Sequence, residues 1–362
     1  MRLREVTLHR VDLPLTAPCC LPCGTFESLE PLLVEVRDED GAVGWGEQHI
    51  LPGSSAETRE GGWAFARDLA EQVAGMETGQ AKKRILARAG ESRAAATALV
   101  TAIEMLEGAE RLVNRRERRF RLPAAFDATG RGAIAEEVEQ RLAQGFRTFK
   151  IEVGRNLAED IRRLIWIQEE LAGRATLRID AKGAYSRAAG CCFAAAIDPE
   201  GVELFEQPCA AGDWQANAAV AAVSRVPLML DESIRSLTDI DRAAAIEGIG
   251  FCKVKLKRFG SLAALEQAIG YLQAKGLAAV AGDGLGAEID CWMEARVADG
   301  LIGKAGEFNG FLKIRPEARL LAEPLPFTAG EIVLPAGWWP EIDRQRLRLR
   351  CLQRHRFAAP RA

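Results

Sequence analysis

Histidine is scarce in this chain. His9, His49 and His355 are the only three in 362 residues, and none falls between 121 and 325. No apolar run approaches the ~18 residues that a membrane span needs. The opening MRLREVTLHRV lacks the apolar core of a signal peptide. No GxGxxG follows a strand-like run, so no dinucleotide site is indicated. The nine cysteines are odd in number and have no framework spacing, and most lie in apolar surroundings, which suits a reducing cytoplasm. Net charge is −3, so no nucleic-acid partner is expected. With 48% apolar and 27% charged residues, the composition is that of an ordinary soluble globular protein.

What the chain does have is a periodic run of polar residues between Phe146 and Gly286, each closing a short apolar stretch. Lys150 and Glu152 close FRTFKIEVG. Asp180 and Lys182 close TLRIDAKG. Glu206 closes GVELFEQP, Asp231 closes PLMLDES, Lys255 lies in FCKVKLKRFG, and Asp283 closes LAAVAGDG. From Glu152 the steps are 28, 26, 25, 24 and 28 residues, about the length of one strand, one helix and two short loops. Each of these residues therefore marks the C-terminal end of a strand in a βα repeat. Eight such units close into a barrel, with its chemistry at the C-terminal face. RLPAAFDAT reads as the first barrel strand and GKAGEFNG, carrying Glu307, as the last.

A bare barrel of this kind leaves about 110 residues over, so a second domain is expected. Residues 1–120 read as an α+β domain. It has a strand over 2–15, a hairpin over 31–47 turning at Asp40-Gly41, irregular loops at TAPCCLPCGTFE and HILPGSSAE, and helices over 56–75 and 91–113. Residues 121–315 read as the barrel, and 316–362 as a tail that returns to complete the first domain. Arg344, Arg346, Arg348 and Arg350 alternate, which predicts one basic face of a strand on a solvated or subunit-facing edge; a homo-oligomer is expected. Cys19, Cys20 and Cys23 look like a partial metal cluster, but no fourth ligand is near, so they read as a group of loop thiols.

Asp180, Glu206 and Asp231 stand at the ends of successive strands. Left unpaired they would repel and raise one another's pKa. A divalent cation removes that repulsion, and carboxylates without His or Cys point to Mg²⁺ rather than Zn²⁺. The order FKIEVG, LRIDAKG, LFEQP, LDES, KVKLKRFG, AGEFNG, with GAVGWGE in the first domain, resembles the enolase superfamily, nearest to its muconate-lactonizing-enzyme subgroup, over almost the whole chain. The resemblance implies a modified (β/α)7β barrel with Mg²⁺ on Asp180, Glu206 and Asp231, and makes the N-terminal α+β domain, completed by the C-terminal segment, its capping domain. It also implies a small carboxylate substrate, and a base that removes the proton α to that carboxylate to give a metal-stabilised enolate. Racemase or epimerase, cycloisomerase and dehydratase outcomes share this first step.

The chain departs from that pattern in two places. The subgroup ends strand two in Lys-x-Lys, the second lysine being a base; here it is Lys150-Ile151-Glu152. Strand three, usually Asp-x-Asn, is Asp180-Ala181-Lys182. Either Glu152 and Lys182 form an ion pair across adjacent strands, or one of them takes over as base. Lys255 matches the family's strand-six lysine and, if Glu152 cannot act, is the single base or acid. No histidine occupies the end of strand seven, so a mandelate-racemase-type base is excluded. Asp283 stands there instead, as a substrate contact or a helix cap. Glu307 is either a substrate contact or a support for neighbouring residues. Substrate choice is expected to lie in loops 19–25 and 49–56. Two other readings remain open: a divergent member that binds a carboxylate or a partner without turnover, and an unrelated barrel enzyme using a Schiff-base lysine.

Overall fold

A computed structural model of the chain describes residues 1–21, 24–50 and 57–359. Cys23 and the segment 51–56, part of the loops expected to shape substrate choice, lie outside the described residues. Among those described, no helix is long and apolar enough to cross a membrane.

Seven parallel strands run in sequence order through one sheet: Ala124–Phe126, Thr148–Glu152, Thr176–Asp180, Val202–Glu206, Leu228–Leu230, Ile249–Val254 and Ala278–Ala281. Helices Arg131–Ala143, Leu157–Leu171, Arg187–Ala196, Trp214–Val223, Leu237–Ala244 and Leu262–Ala274 connect them in turn. The expected last strand is present only as an extended segment. Glu307 N donates to Ala281 O and Gly306 N donates to Arg121 O, so the segment joins the seventh strand to the chain just ahead of the first. With that the ring closes as a (β/α)7β barrel. Its helices start where sequence chemistry puts them: the side chains of Asn156, Ser186, Asp213, Ser236 and Ser261 each accept a first-turn backbone N–H, satisfying donors that a helix start leaves open.

Side chains two apart on a strand share a face. Inside the barrel this sorts them into layers. Leu204, Met229, Phe251 and Val280 form a closed apolar cluster, and one position pair further along come Glu206, Asp231 and Lys253. The floor is thus a dry plug, and the charged residues stand on it facing the C-terminal mouth.

The cap is an antiparallel sheet in the order Cys351–Ala358, Leu3–Val11, Leu32–Asp38, Val43–Gln48. The hairpin at Asp40-Gly41 is present. Helix Arg93–Leu106 lies directly on its second strand, and a Cβ at Gly44 or Gly46 would sit about 2 Å from the helix carbonyls of Ala102 and Ala98, which accounts for the small residues in GAVGWGE. Three expectations need correction. The stretch read as an irregular loop forms a two-stranded hairpin, Leu13–Leu21 with Gly24–Leu29, because its Thr, Phe and Leu residues pair in spite of the Pro and Gly. The long helix over 91–113 ends at Leu106, and Gly108 turns the chain at φ 65°. The alternating arginines form no strand: Arg344–Arg350 is a helix, started by Asp343, whose side chain accepts from Gln345 N and Arg346 N. Arg and Leu are good helix formers, and the strand begins only at Cys351.

Candidate active site

The C-terminal mouth opens into a cavity of about 890 Å³ lined by both barrel and cap. Asp180 and Asp231 line it, Glu206 lies behind the lining residues Lys150 and Lys253, and all three acids are buried. They do not stand unpaired. Lys150 Nζ lies 2.9 Å from Asp180, 2.6 Å from Glu206 and 2.8 Å from Glu307. Lys253 Nζ lies 2.7 Å from the other oxygen of Glu206, 2.5 Å from Glu307 and 3.6 Å from Asp231. Lys255 Nζ is 2.9 Å from Asp231 and 3.6 Å from Asp283. Arg258 is 2.8 Å from the free oxygen of Asp231, and Lys257 holds Asp283 at 2.7 Å. Beneath them Arg178, fully buried, binds Glu203 at 2.6 Å and faces Glu307 at 3.6 Å.

Lysine and arginine therefore supply much of the charge balance that a metal would otherwise supply alone. Burial by itself would lower the pKa of Lys150, but Asp180, Glu206 and Glu307 outweigh it and hold the ammonium well above its usual value. Lys253 is raised in the same way by Glu206 and Glu307. Both stay cationic at any working pH. Burial pushes Glu206 up, helped by Asp180 and only partly opposed by the two lysines. Asp231 and Asp283 go the other way: burial is outweighed by Lys255 and Arg258 for the first, and by Lys257 and Lys255 for the second. Both remain ionised.

Glu152 and Lys182 meet as an ion pair across strands two and three, at the outer rim. Glu152 is half exposed. The backbone of Lys182 adopts a left-handed conformation, φ 48°, with its N–H donated to Asp180, and this turn swings its side chain toward Glu152. Asp283 lines the cavity wall. Glu307 is taken up by Lys150, Lys253 and Arg178, so its contacts are with the lysines. Cys19 lines the cavity too, as does His49 from the cap, held neutral by burial and by Lys257, its pKa lowered to about 3.

Three hard carboxylates on neighbouring strands fit Mg²⁺ in donor chemistry. Glu232, beside Asp231, adds a buried oxygen with no hydrogen-bond partner among the described residues. Among the described residues, however, no three acids are gathered closely enough to hold a metal ion; Lys150 and Lys253 stand between them. A divalent cation entering here would have to displace those ammonium groups.

Lys253, Arg178 and Lys257 were not singled out by spacing. The signal available was parity: Lys253 is two residues before Lys255, and Arg178 two before Asp180, so each shares an inward face.

A family model described as enolase C-terminal domain-like matches residues 133–338. The chain is 28% identical over 295 residues to an aromatic dipeptide epimerase of Herpetosiphon aurantiacus, covering 77% of this chain and 82% of that protein. It is 25% identical to muconate cycloisomerase 1-2 of Acinetobacter lwoffii, with 96% of each covered. Among solved structures it resembles a dipeptide epimerase from Cytophaga hutchinsonii complexed with Mg and D-Ala-L-Val, with a TM-score of 0.87 at 18% identity, covering 99% of this chain and 100% of that one. With the family model spanning more than half its length, the chain belongs to the enolase superfamily and is one of its isomerase- or lyase-type enzymes.

Proposed function

We propose that this enzyme moves the proton α to the carboxylate of a small substrate, with Lys255 as the transferring amine and Mg²⁺ held by Asp180, Glu206 and Asp231. The observation that carries this reading is the position of Lys255 Nζ, on the cavity wall between Asp231 and Asp283. The two carboxylates orient the amine, and Asp283 is itself fixed by Lys257. A substrate carboxylate entering the mouth meets Lys150 and Lys253, which remain protonated and stabilise the negative charge that grows as the proton leaves. Bound Mg²⁺ would supply Lewis-acid polarisation of the substrate carboxylate. Asp283 is also the acid best placed on the wall to receive a substrate amine or hydroxyl, and Glu307 acts through the lysines it holds. Dipeptides and other N-acylated amino acids are the substrate class to try first, since the similar proteins include dipeptide epimerases.

A second reading is favoured by the Glu152–Lys182 pair, which removes the family's base from strand two: a protein that binds a carboxylate without turning it over. One assay separates them. A panel of dipeptides and N-acyl amino acids is incubated with enzyme and Mg²⁺ in D₂O, and deuterium at the α-carbon is read by mass spectrometry. Exchange by the wild type and at least a 100-fold loss in Lys255→Met supports proton transfer at Lys255. Undiminished exchange in the variant removes Lys255 from the chemistry, and binding without exchange favours the second reading.

A further inference from the structure

Six lysines line the cavity, and five of them are ion-paired: Lys150, Lys182, Lys253, Lys255 and Lys257. The sixth, Lys313, comes from the 3₁₀ turn Gly310–Lys313 that follows the closing segment. Among the described residues no carboxylate stands within ion-pairing distance of it. Its Nζ donates to the carbonyl of Gly284, 2.8 Å away, a bond that either the ammonium or the neutral amine can make. The turn is fixed in place: Thr16 Oγ1 donates to Lys313 O, and Ile314 bridges to Leu15 of the cap hairpin. The charged and titratable groups around the amine are Lys150 and Glu152 from strand two, Lys182 from the turn after strand three, and Cys19 from the cap. Two ammonium groups and one acid, the acid already bound to Lys182, leave Lys313 without a counter-charge of its own.

We propose that Lys313 is a second proton-transfer amine, standing in for the lysine that strand two has lost to Glu152. This rests on the functional reading above. A half-buried amine facing other cations favours its neutral form, and burial followed by Lys182 lowers its pKa, with Cys19 and Glu152 opposing. A neutral amine is what a base requires. Its lone pair takes the α-proton, forming N–H as C–H breaks, and the C–H electrons pass into the substrate carboxylate. Return of the proton to carbon restores both partners, so no further reactant is needed. The residue lies on the Glu152–Lys182 side of the mouth, apart from Lys255, so the site holds two amines with different access to the substrate.

Two measurements test this, and the first needs no substrate. Lysines of the folded protein are labelled with trace acetic anhydride from pH 6 to 10, and labelling of Lys313 is compared with that of the exposed Lys83. Lys313 labelling that reaches half its plateau at least one pH unit below Lys83 supports the neutral amine; a midpoint at or above that of Lys83 overturns it. The second is α-deuterium exchange with each enantiomer of a turned-over dipeptide. Lys313→Met is expected to lose at least 100-fold for one enantiomer while dipeptide binding persists. Lys313→Arg keeps the charge but not the base, and is expected to lose as much. Full exchange by Lys313→Arg would make the residue a binder of negative charge and overturn the proposal. Both variants exchanging at wild-type rates for both enantiomers would sink the Lys313 assignment alone. A wild type that exchanges nothing would sink the functional reading, and this assignment with it.

Discussion

Lys253→Met is the sharpest test of how the acids are held together. The ammonium touches Glu206 and Glu307 and lies near Asp231, and the residue is 3% exposed. Removing one partner of a buried charge network costs about 3–5 kcal/mol. Glu206 is already pushed up by burial and by Asp180, so it can take a proton and hold the cost near the lower figure at pH 6. At pH 8 that relief is smaller. Unfolding entropy of about 2.1 cal/mol/K per residue gives ~0.8 kcal/mol/K for 362 residues, so Tm is expected to fall by about 4–6 °C. In the wild type Mg²⁺ must displace this ammonium; in the variant the competing charge is gone. A ligand at 100 times its Kd stabilises by about 2.7 kcal/mol, which here is ~3 °C. Magnesium is therefore expected to raise the Tm of Lys253→Met more than it raises the wild type's, by up to about 3 °C. Differential scanning calorimetry at pH 6 and 8, with and without 10 mM Mg²⁺ (about 100 times a Kd near 0.1 mM), reads all four quantities. A variant as stable as the wild type, or equal magnesium shifts in the two proteins, would refute the idea that Lys253 occupies the cation's place.

Three further outcomes are expected. Burial raises the pKa of Glu47 to about 7, against backbone hydrogen bonds that lower it. The folded protein then binds more protons than the unfolded chain between pH 4.5 and 7, so this group's contribution to stability falls as pH rises through that window and levels off above it. Glu47→Gln is expected to flatten the fall by about 1–3 kcal/mol; urea unfolding from pH 5 to 8 with an unchanged slope would contradict this. The half-exposed Glu152–Lys182 pair is worth no more than about 1 kcal/mol, so a double-mutant cycle with Glu152→Lys and Lys182→Asn should show coupling below that, and a coupling of several kcal/mol would mean that the pair is a structural lock. Gly282 has φ 125°, and a Cβ there would lie 2.3 Å from the backbone of Glu307. Gly282→Ala is expected to cost more than about 1 kcal/mol, and a variant of wild-type stability would show that the closing segment moves freely.

The barrel and its acids were legible because their spacing is dictated by chain length: strand, helix and two loops fix the interval from Asp180 to Glu206 to Asp231. The ion pair of Glu152 with Lys182 was legible as well, because adjacent strands put their ends side by side. What spacing could not show was contact across the barrel. Lys253 reaches Glu206 and Glu307 through the interior, and nothing in the local pattern of FCKVKLKRFG says which acids it meets. Reading the three carboxylates as bare left these lysines out of the charge balance. Lys313 escaped because it follows the last βα unit, where periodicity ends. RQRLRLR misled because alternation of Arg and Leu satisfies a strand pattern as well as a helix one, and only the Asp343 cap decides between them. The hairpin over Leu13–Leu29 was hidden by its Pro and Gly content, which the pairing of flanking residues overrides.

The cap sheet has its own bearing on how the protein is made. Strand Leu3–Val11 lies between Leu32–Asp38, which leaves the ribosome early, and Cys351–Ala358, which leaves some three hundred residues later. Domains generally fold as units during synthesis, N-terminal first, but this one waits with one edge of its first strand unpaired until the barrel has been translated. An open edge is a template for pairing with other chains. During that wait the nascent cap is exposed to capture by a neighbouring copy.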